Sequence, residues 1–266
     1  MKVLVTGAKG MLGQDLCPIF EDEGFEVVET DRHNLDITNA EQVKEIMQKE
    51  QPDYIIHLAA YTNVDKAEED IENATKINYA GTENIARAAK EINATMVYIS
   101  TDYVFDGTKK APYLPDDIAN PQSVYGKTKR MGEEAVMKYC DKYYITRTSW
   151  LYGIHGKNFV ETMLSLKGDI KVVDDQIGCP TWTVDLANAI LTIIEEEREY
   201  GIYHTCGGGF TSWYGFAKEI GVDCKPCTTE DFPRPAKRPA YSVMDNDGLL
   251  RDWKLALKDY MNLREV

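Results

Sequence analysis

The sequence predicts an α/β fold in which helices cover both faces of a parallel sheet, followed by a smaller C-terminal lobe. Three observations lead to this prediction. An apolar run at residues 3–5 passes directly into a glycine-rich turn and a helix. Apolar strand patterns then alternate with helical ones as far as residue 147, and the pattern becomes irregular from Trp150 onward. Such alternation is typical of a Rossmann-type, doubly wound parallel sheet.

The first strand and helix are joined by a turn with glycines at positions 7, 10 and 13. Gly7 permits a sharp turn, Gly10 permits close approach of a pyrophosphate, and Gly13 permits the helix to pack closely on the strand. The first N–H groups of this helix, at Met11 and Leu12, would face the anion. The G-x-x-G-x-x-G spacing is a variant of the dinucleotide-binding turn, so we expect a dinucleotide cofactor here.

The second strand, residues 25–30, ends at Asp31. An acidic residue at this position would bind the adenosine ribose 2′-hydroxyl, and its charge would repel a 2′-phosphate. This favours NADH, although Arg32 and Lys9 lie beside Asp31 and leave NADPH open. Asp36 and Ile37 follow a turn and are expected near the adenine.

The remaining elements continue the alternation. Helical patterns are predicted at about 39–49, 66–76, 80–92 and 123–140, and strands at 54–58, 96–100 and 143–147. We therefore predict an NAD(P)-binding domain at residues 1–149 and a mainly substrate-binding lobe at residues 150–266. One helix of the second segment, at about 183–196, is expected to pack back on the sheet.

The composition excludes several classes of function. The 266 residues are 43% apolar and carry a net charge of −14, which argues against a nucleic-acid partner because phosphate binding needs a basic surface. The chain opens with a strand rather than a signal peptide, and it has no run of ~18 apolar residues to span a membrane. Six cysteines include the pair Cys224 and Cys227, which lacks the further ligands of a zinc site. We expect a cytoplasmic protein with reduced thiols and no metal.

Tyr125 and Lys129 are the strongest indication of chemistry. Residues four apart share one face of a helix, and a nearby ammonium group would lower the pKa of a phenol so that it exchanges a proton near neutral pH. Thr101 follows the strand at 96–100, at the sheet edge where ligands bind, and is expected to bind the same substrate oxygen. His57 lies inside an apolar strand and is interpreted as a packed residue rather than a catalyst.

Together these residues give the sequence a marked resemblance to the extended short-chain dehydrogenase/reductases, and within them to the dTDP-4-dehydrorhamnose reductases. The narrower match covers almost the whole chain and is carried by Asn63–Glu68, Ser100–Gly107, Tyr125–Lys129, Arg147–Gly153, Asn158–Phe159, Asp175–Thr181 and Lys237–Pro239.

The resemblance implies that NAD(P)H delivers a hydride to the C4 carbonyl of dTDP-4-dehydro-L-rhamnose, giving dTDP-L-rhamnose. It implies that Tyr125 donates the proton, Thr101 hydrogen bonds the same oxygen, and Lys129 holds the nicotinamide ribose. It also implies two sets of binding residues. Ala59, Ala60, Tyr61 and Thr62 would contact the cofactor, and Val64, Asp102, Tyr103, Trp150 and Asn158 the sugar nucleotide. The basic cluster Arg234, Lys237 and Arg238 is expected to hold the diphosphate, with Arg238 as its main contact.

Several alternatives stay open. Related dehydratases carry an Asp-Glu pair after the catalytic threonine, whereas Asp102 is followed by Tyr103 here, which argues against dehydration. A reductase or epimerase of another nucleotide-linked 4-keto sugar remains an alternative. So does a non-catalytic NAD(P)-binding regulatory subunit, like that of methionine adenosyltransferase. Family members pair through a metal-bridged contact, for which only Asp15 matches, so a homodimer is left open.

Overall fold

A computed structural model describes residues 1–264. Its strands are β1 (Lys2–Thr6), β2 (Glu26–Thr30), β3 (Tyr54–His57), β4 (Thr95–Thr101), β5 (Tyr143–Thr148), β6 (Leu151–Tyr152), β7 (Ile170–Val173), β8 (Ile177–Gly178), β9 (Thr181–Trp182), β10 (Gly201–His204), β11 (Thr211–Ser212) and β12 (Cys224–Cys227). Six of them form one parallel sheet in the order β10-β5-β4-β3-β1-β2. The predicted doubly wound sheet is confirmed.

The helices are α1 (Met11–Asp22), α2 (Ala40–Glu50), α3 (Val64–Ala67), α4 (Ile71–Thr75), α5 (Thr82–Glu91), α6 (Val124–Tyr139), α7 (Phe159–Ser165), α8 (Thr183–Glu195), α9 (Trp213–Ile220) and α10 (Trp253–Arg264). A π-helical segment at Lys76–Gly81 joins α4 to α5, and a 3-10 turn at Asp102–Val104 follows β4. Within residues 1–264, no helix is long and apolar enough to cross a membrane.

The predicted helix at 66–76 is wrong, because the structure divides it into α3 and α4. Asp70 lies at the division and leaves helical geometry, with φ −119° and ψ 51°. Its carboxylate accepts hydrogen bonds from the Tyr61 hydroxyl at 3.1 Å and from the Asn73 amide at 2.7 Å. The backbone at Asp70 therefore interrupts the helix where the apolar periodicity suggested continuation.

The two faces of the sheet bury different residues because side chains alternate along each strand. Val3, Val5 and Ile56 pack with α1 and α8, whereas Leu4 and Ile55 pack with α2, α5 and α6. Each large apolar side chain buried in this way contributes about 1.5–3 kcal/mol. Helix α8 packs on the sheet in this way, in agreement with the prediction for a helix at about 183–196.

The segment after residue 150 contributes more to the sheet than the sequence suggested. Strand β10 pairs in parallel with β5, from Gly201 opposite Tyr144 to His204 opposite Arg147. The expected boundary at 149 therefore does not separate the sheet from the rest of the chain. The other C-terminal elements share their own apolar cluster, which includes Tyr152, Phe216, Trp253 and Tyr260.

Candidate active site

A cavity of about 1110 Å³ opens where the chain order of the sheet reverses, at the carboxyl ends of β1, β3 and β4. Ligands of doubly wound sheets bind at such a point. The cavity brings together all of the residues predicted to bind the cofactor. They are Gly7, Gly10, Met11, Leu12, Gly13, Asp31, Arg32, Asp36, Ile37, Ala59, Ala60, Tyr61, Thr62, Tyr125 and Lys129.

The glycine turn has the geometry that a dinucleotide pyrophosphate requires. Gly7 has φ +71°, and a Cβ atom there would lie 2.8 Å from the backbone nitrogen of Ala59. Gly13 packs so closely on Ala8 that a Cβ would collide with its backbone. In the described chain no side chain caps the start of α1 at Gly10, so its first N–H groups are available to an anion. These residues fit the cofactor.

The far end of the cavity is lined by Asp31 and Arg32, at the end of β2. One Asp31 carboxylate oxygen accepts a hydrogen bond from the backbone of His33 at 2.7 Å. Lys9 lies 3.0 Å from the carboxylate of Glu29, so its charge is already matched, whereas Arg32 is exposed.

Asp36 and Ile37 line the same part of the cavity. Hydrogen bonds from the Thr38 hydroxyl and backbone hold the pKa of the Asp36 carboxyl below its ordinary value. Ile37 is buried against Gly81 of the π-helical segment, where a Cβ would lie 2.7 Å from its terminal carbon.

Thr101, Tyr125 and Lys129 meet at the opposite end of the cavity. Ser123 caps the start of helix α6, and its hydroxyl accepts a hydrogen bond from the Gly126 N–H at 3.1 Å. This capping fixes the first turn of the helix, which contains Tyr125. Close approach is possible because Gly126 lies against the Tyr103 carbonyl, where any Cβ would collide.

The expectation that Lys129 lowers the pKa of Tyr125 does not hold. Burial raises the pKa of Tyr125 to about 12, against an opposing hydrogen bond with Thr101. The Lys129 Nζ atom instead donates to the carbonyl oxygen of Ile99 at 2.6 Å and lies 4.1 Å from the centre of the Tyr98 ring. Burial lowers the pKa of Lys129 to about 7, because a buried amine is harder to charge.

Asp102 and Tyr103 line the cavity next to Thr101. The Asp102 carboxylate is buried and accepts hydrogen bonds from Ser242 at 2.6 Å and Thr101 at 3.1 Å. Burial raises its pKa to about 6 despite these bonds. The Tyr103 ring packs edge-on against Tyr125, with ring centres 5.6 Å apart.

Val64 and Trp150 also line the cavity, as predicted for the sugar-nucleotide side. Trp150 has φ +47°, an unusual conformation for a bulky residue. Its indole stacks on Trp213 with ring centres 3.5 Å apart and an interplanar angle of 7°. Gly178 leaves room on its other side, since a Cβ there would lie 2.5 Å from the Trp150 ring. The Trp150 ring is thus held between fixed neighbours.

Two residues predicted to bind substrate are placed differently. Asn158 is buried and caps α7, accepting from the Glu161 N–H at 3.1 Å and donating to the Gly153 carbonyl at 2.7 Å. Its amide is used within its own loop, so its assignment to the substrate is corrected to a structural role. Arg238 lies behind the cavity wall, where it pairs with Asp65 and faces Tyr103. The family match located both residues near the site but did not show which groups they contact.

Sequence reasoning missed a buried ion pair close to Lys129 and β4. Glu133 on α6 and Arg147 on β5 are 0% and 1% exposed and form two hydrogen bonds of 2.8 and 2.9 Å. The only available signal was the position of Glu133, four residues after Lys129. Lys157, an exposed cation on the C-terminal rim of the cavity, was missed as well.

The side chains considered for metal binding or acid–base chemistry have hydrogen-bond partners within the fold. His57 is buried between the hydroxyls of Thr6 at 2.6 Å and Thr82 at 3.1 Å, in agreement with a packed role. Asp15 is buried next to His155 and hydrogen bonds Thr183. Residues 1–264 contain no group of three or more His, Cys, Asp or Glu side chains placed to hold a metal ion.

A Rossmann-type sheet, a glycine turn that fits a pyrophosphate and a Thr-Tyr-Lys set beside one cavity define an NAD(P)-dependent oxidoreductase of the extended short-chain type. The sequence profile described as RmlD substrate binding domain matches residues 1–264. The chain belongs to this family.

Named relatives match nearly the whole chain. The chain is 47% identical to a dTDP-4-dehydrorhamnose reductase from Clostridium acetobutylicum, whose crystal structure superposes with a TM-score of 0.97 over 100% of both chains. It is 40% identical to a dTDP-4-dehydrorhamnose reductase from Bacillus anthracis in complex with NADP, with a TM-score of 0.94 and 98% of each chain covered. It is also 40% identical to the spore coat polysaccharide biosynthesis protein SpsK of Bacillus subtilis, over 99% of this chain and 98% of that protein.

Proposed function

We propose that this protein reduces the C4 keto group of dTDP-4-dehydro-L-rhamnose to give dTDP-L-rhamnose, with NADH or NADPH as the reductant. The observation that carries the proposal is the meeting of Thr101, Tyr125 and Lys129 at one end of a cavity that begins at the glycine turn. The names of the full-length relatives support the same reaction. The cytoplasm is the expected location.

The bound cofactor supplies the hydride, and the residues of the chain bind it, orient it and manage the proton. We assign the pyrophosphate to Gly7, Gly10 and the first N–H groups of α1, at Met11–Gly13. Asp31 and Arg32 would hold the adenosine ribose, and Asp36 and Ile37 would lie near the adenine. Residues 59–62 follow β3 and cover the middle of the dinucleotide.

Tyr125 is the proton donor in this proposal. A phenol whose pKa is raised to about 12 is protonated throughout the neutral range, so the proton is present when the carbonyl oxygen gains negative charge. Thr101 hydrogen bonds the same oxygen and fixes its position. Lys129 would hold the nicotinamide ribose.

The sugar nucleotide is assigned to the other wall of the cavity. Trp150, whose indole is held in place by Trp213, lines this wall together with Val64, Asp102 and Tyr103. We propose that residues 1–149 together with α8 and β10 bind the cofactor, and that the rest of residues 150–266 binds the sugar nucleotide.

The test is oxidation of NADH and of NADPH, followed by absorbance at 340 nm, with enzymatically generated dTDP-4-dehydro-L-rhamnose. A UDP-linked 4-keto sugar serves as the matched control for the nucleotide. Rapid oxidation with the dTDP substrate alone supports the proposal and gives the cofactor preference. Equal rates with the UDP sugar would indicate a different reductase, and cofactor binding without oxidation by either sugar would favour a regulatory subunit.

A further inference from the structure

Asp102 follows the proposed catalytic Thr101 in the chain and is joined to it by a hydrogen bond. The Asp102 side chain is buried, with 1% of its residue surface exposed, and both of its carboxylate oxygens have partners. Oδ1 accepts from the Thr101 hydroxyl at 3.1 Å, and Oδ2 accepts from the Ser242 hydroxyl at 2.6 Å. The carboxyl is therefore held in one position beside the residue that is expected to bind the substrate oxygen.

Ser242 reaches Asp102 from the C-terminal part of the chain. Its backbone N–H donates to the Ile177 carbonyl oxygen at 2.8 Å, and the preceding Tyr241 forms a parallel bridge with Ile177. The contact between Ser242 and Asp102 spans 140 residues of sequence. Tertiary packing thus brings a hydroxyl donor to the Asp102 carboxyl that local sequence does not indicate.

The partners of Thr101 decide where its hydroxyl hydrogen points. A hydroxyl has one hydrogen to donate. The Tyr103 N–H donates to Thr101 Oγ1 at 3.2 Å, so the Thr101 hydrogen does not point there. An ionised carboxylate can only accept, so this hydrogen is directed at Asp102 while Asp102 is charged. In that state Thr101 has no hydrogen left to donate to the carbonyl oxygen of a substrate.

Protonation of Asp102 reverses this arrangement. A carboxylic acid has an O–H to donate, and Thr101 Oγ1 has a second lone pair to accept it. The Thr101 hydrogen is then free to turn toward Tyr125, with which Thr101 also forms a hydrogen bond, and toward the reacting oxygen beside it. Burial favours the neutral acid, because it raises the pKa of Asp102 to about 6 against its hydrogen bonds with Ser242 and Thr101. A bound cofactor and substrate would exclude water and favour the same form.

Four titratable groups on the elements around Asp102 are uncharged near pH 6. They are Tyr103, Tyr125 on α6, Cys206 after β10, and Tyr241 next to Ser242. Burial raises the pKa of each of the three tyrosines. A hydrogen bond with Cys179, together with burial, raises the pKa of Cys206. These groups therefore do not change charge in the range where Asp102 titrates.

Two cations lie on the same surrounding elements. Arg238 is held by the Asp65 carboxylate in a two-pronged pair. Lys129 Nζ donates to the Ile99 carbonyl oxygen at 2.6 Å. Because burial lowers the pKa of Lys129 to about 7, Lys129 titrates close to Asp102, and a test must separate the two groups.

We propose that Asp102 is a positioning residue that sets the hydrogen-bond direction of the Thr101 hydroxyl, with Ser242 holding the Asp102 carboxyl in place. The carboxylate withholds the Thr101 hydrogen from the substrate oxygen, and the neutral acid releases it. The inference deepens the proposed function and rests on the role that it assigns to Thr101.

The first test is a pH titration of Asp102 in the cofactor-free protein by NMR of 13C-labelled aspartate, with the resonance assigned from Asp102→Asn. Thr101→Val and Ser242→Ala each remove one hydrogen bond to the charged form. We expect each to raise the Asp102 midpoint by about half a pH unit or more. An unchanged midpoint in either variant would overturn the proposal.

Thr148→Val is the matched control for this titration. Thr148 lies opposite Thr101 on β5, and within residues 1–264 its buried hydroxyl oxygen has no hydrogen-bond partner. The substitution removes the same hydroxyl group one strand away, so the Asp102 midpoint should stay at the wild-type value. A shift equal to that of Thr101→Val would show that the hydrogen bond is not the cause.

The second test is the pH dependence of kcat with the keto-sugar substrate. Wild-type kcat should fall as pH rises through the Asp102 midpoint, and in Ser242→Ala this fall should move to higher pH. A fall caused by Lys129 would stay in place. Asp102→Asn can offer Thr101 a permanent N–H donor, with its amide oxygen on Ser242. The ratio of its kcat at pH 8 to that at pH 6 should therefore exceed the wild-type ratio by about tenfold or more, as expected for one donor to a developing oxyanion.

A fall that does not move in Ser242→Ala, or a ratio in Asp102→Asn no greater than that of the wild type, would overturn the proposal. If Ser242→Ala does not fold, Thr101→Val and Asp102→Asn decide. The NMR titration needs no substrate, so failure of this inference is distinguishable from failure of the proposed reaction.

Discussion

Arg238 and Asp65 form a two-pronged ion pair that joins the C-terminal half of the chain to helix α3. Arg238 Nη1 and Nη2 each lie 3.0 Å from one oxygen of the Asp65 carboxylate. Asp65 follows Val64 in the chain and Arg238 faces Tyr103, and both Val64 and Tyr103 line the cavity. The guanidinium that was expected to grip a diphosphate is thus positioned by a carboxylate at the edge of the site.

Replacing Arg238 tests this arrangement. Arg238→Ala should raise the Michaelis constant for the sugar nucleotide by about tenfold, an effect of about 1.4 kcal/mol, because it releases Asp65 and Tyr103 at the edge of the site, with little change for NADPH. Steady-state kinetics with each substrate varied in turn will check this. Lys237→Ala is the control, since Lys237 contacts Gln122 at 3.5 Å and is exposed. Equal effects on both Michaelis constants would remove Arg238 from the substrate side.

The proton-donor role of Tyr125 has a separate prediction. Tyr125→Phe should lower kcat by about 10²–10⁴-fold, the usual contribution of a positioned acid, while NADPH binding measured by fluorescence stays near the wild-type value. Tyr103→Phe provides the matched control. It removes the hydroxyl of a neighbouring tyrosine, whose ring centre lies 5.6 Å from that of Tyr125, and the kcat of this variant should change little. Turnover retained in Tyr125→Phe would contradict the role.

Asp31 should set the choice between the two cofactors. Asp31→Ala removes a negative charge where a 2′-phosphate would lie, and Arg32 remains to attract it. We expect kcat/KM for NADPH to rise relative to kcat/KM for NADH. A change of about 1.4 kcal/mol in the relative free energy of binding would raise this ratio about tenfold. Asp36→Ala is the control, since its carboxylate is held by Thr38. An unchanged ratio would exclude Asp31 from the ribose site.

Asp102 should make the protein less stable as pH rises. Its folded pKa of about 6 lies above its ordinary value of 3.8, so its contribution to stability is fully present below 3.8 and is lost as pH rises through 6. Asp102→Asn removes this loss and should raise the free energy of unfolding at pH 8 by up to about 3 kcal/mol, at 1.36 kcal/mol per pH unit. Urea unfolding at pH 8 and pH 4 will check it, and the gain should disappear at pH 4.

Asp106 provides the control, because its pKa is shifted in the opposite direction to that of Asp102. Hydrogen bonds from Thr108, Asn120 and Tyr113 lower its pKa to about 2. Its stabilising contribution is present above the ordinary value of 3.8 and is lost as pH falls through 2. Asp106→Asn should therefore destabilise the protein at pH 8. Shifts of the same sign in both variants would show that charge is not the cause.

Local sequence determined the fold class and most of the cavity lining. The glycine turn, the strand before it and Asp31 are close along the chain, so their spacing alone predicts where they meet. The helical spacing of Tyr125 and Lys129 likewise placed both at the cavity. Strand β10 escaped prediction because four residues carry little periodicity, and only pairing with β5 defines them.

Tertiary packing decided the state and partners of the functional groups. Whether Tyr125 and Lys129 are charged depends on how deeply the sheet and α6 bury them. The pKa of Tyr125 is raised, opposite to the expectation from spacing alone, and the pKa of Lys129 is lowered. Arg238 meets Asp65 across 173 residues of sequence. Local sequence determines which chemical groups are available, whereas burial and long-range pairing, which arise only when distant segments pack together, determine the electrostatic environment in which those groups act.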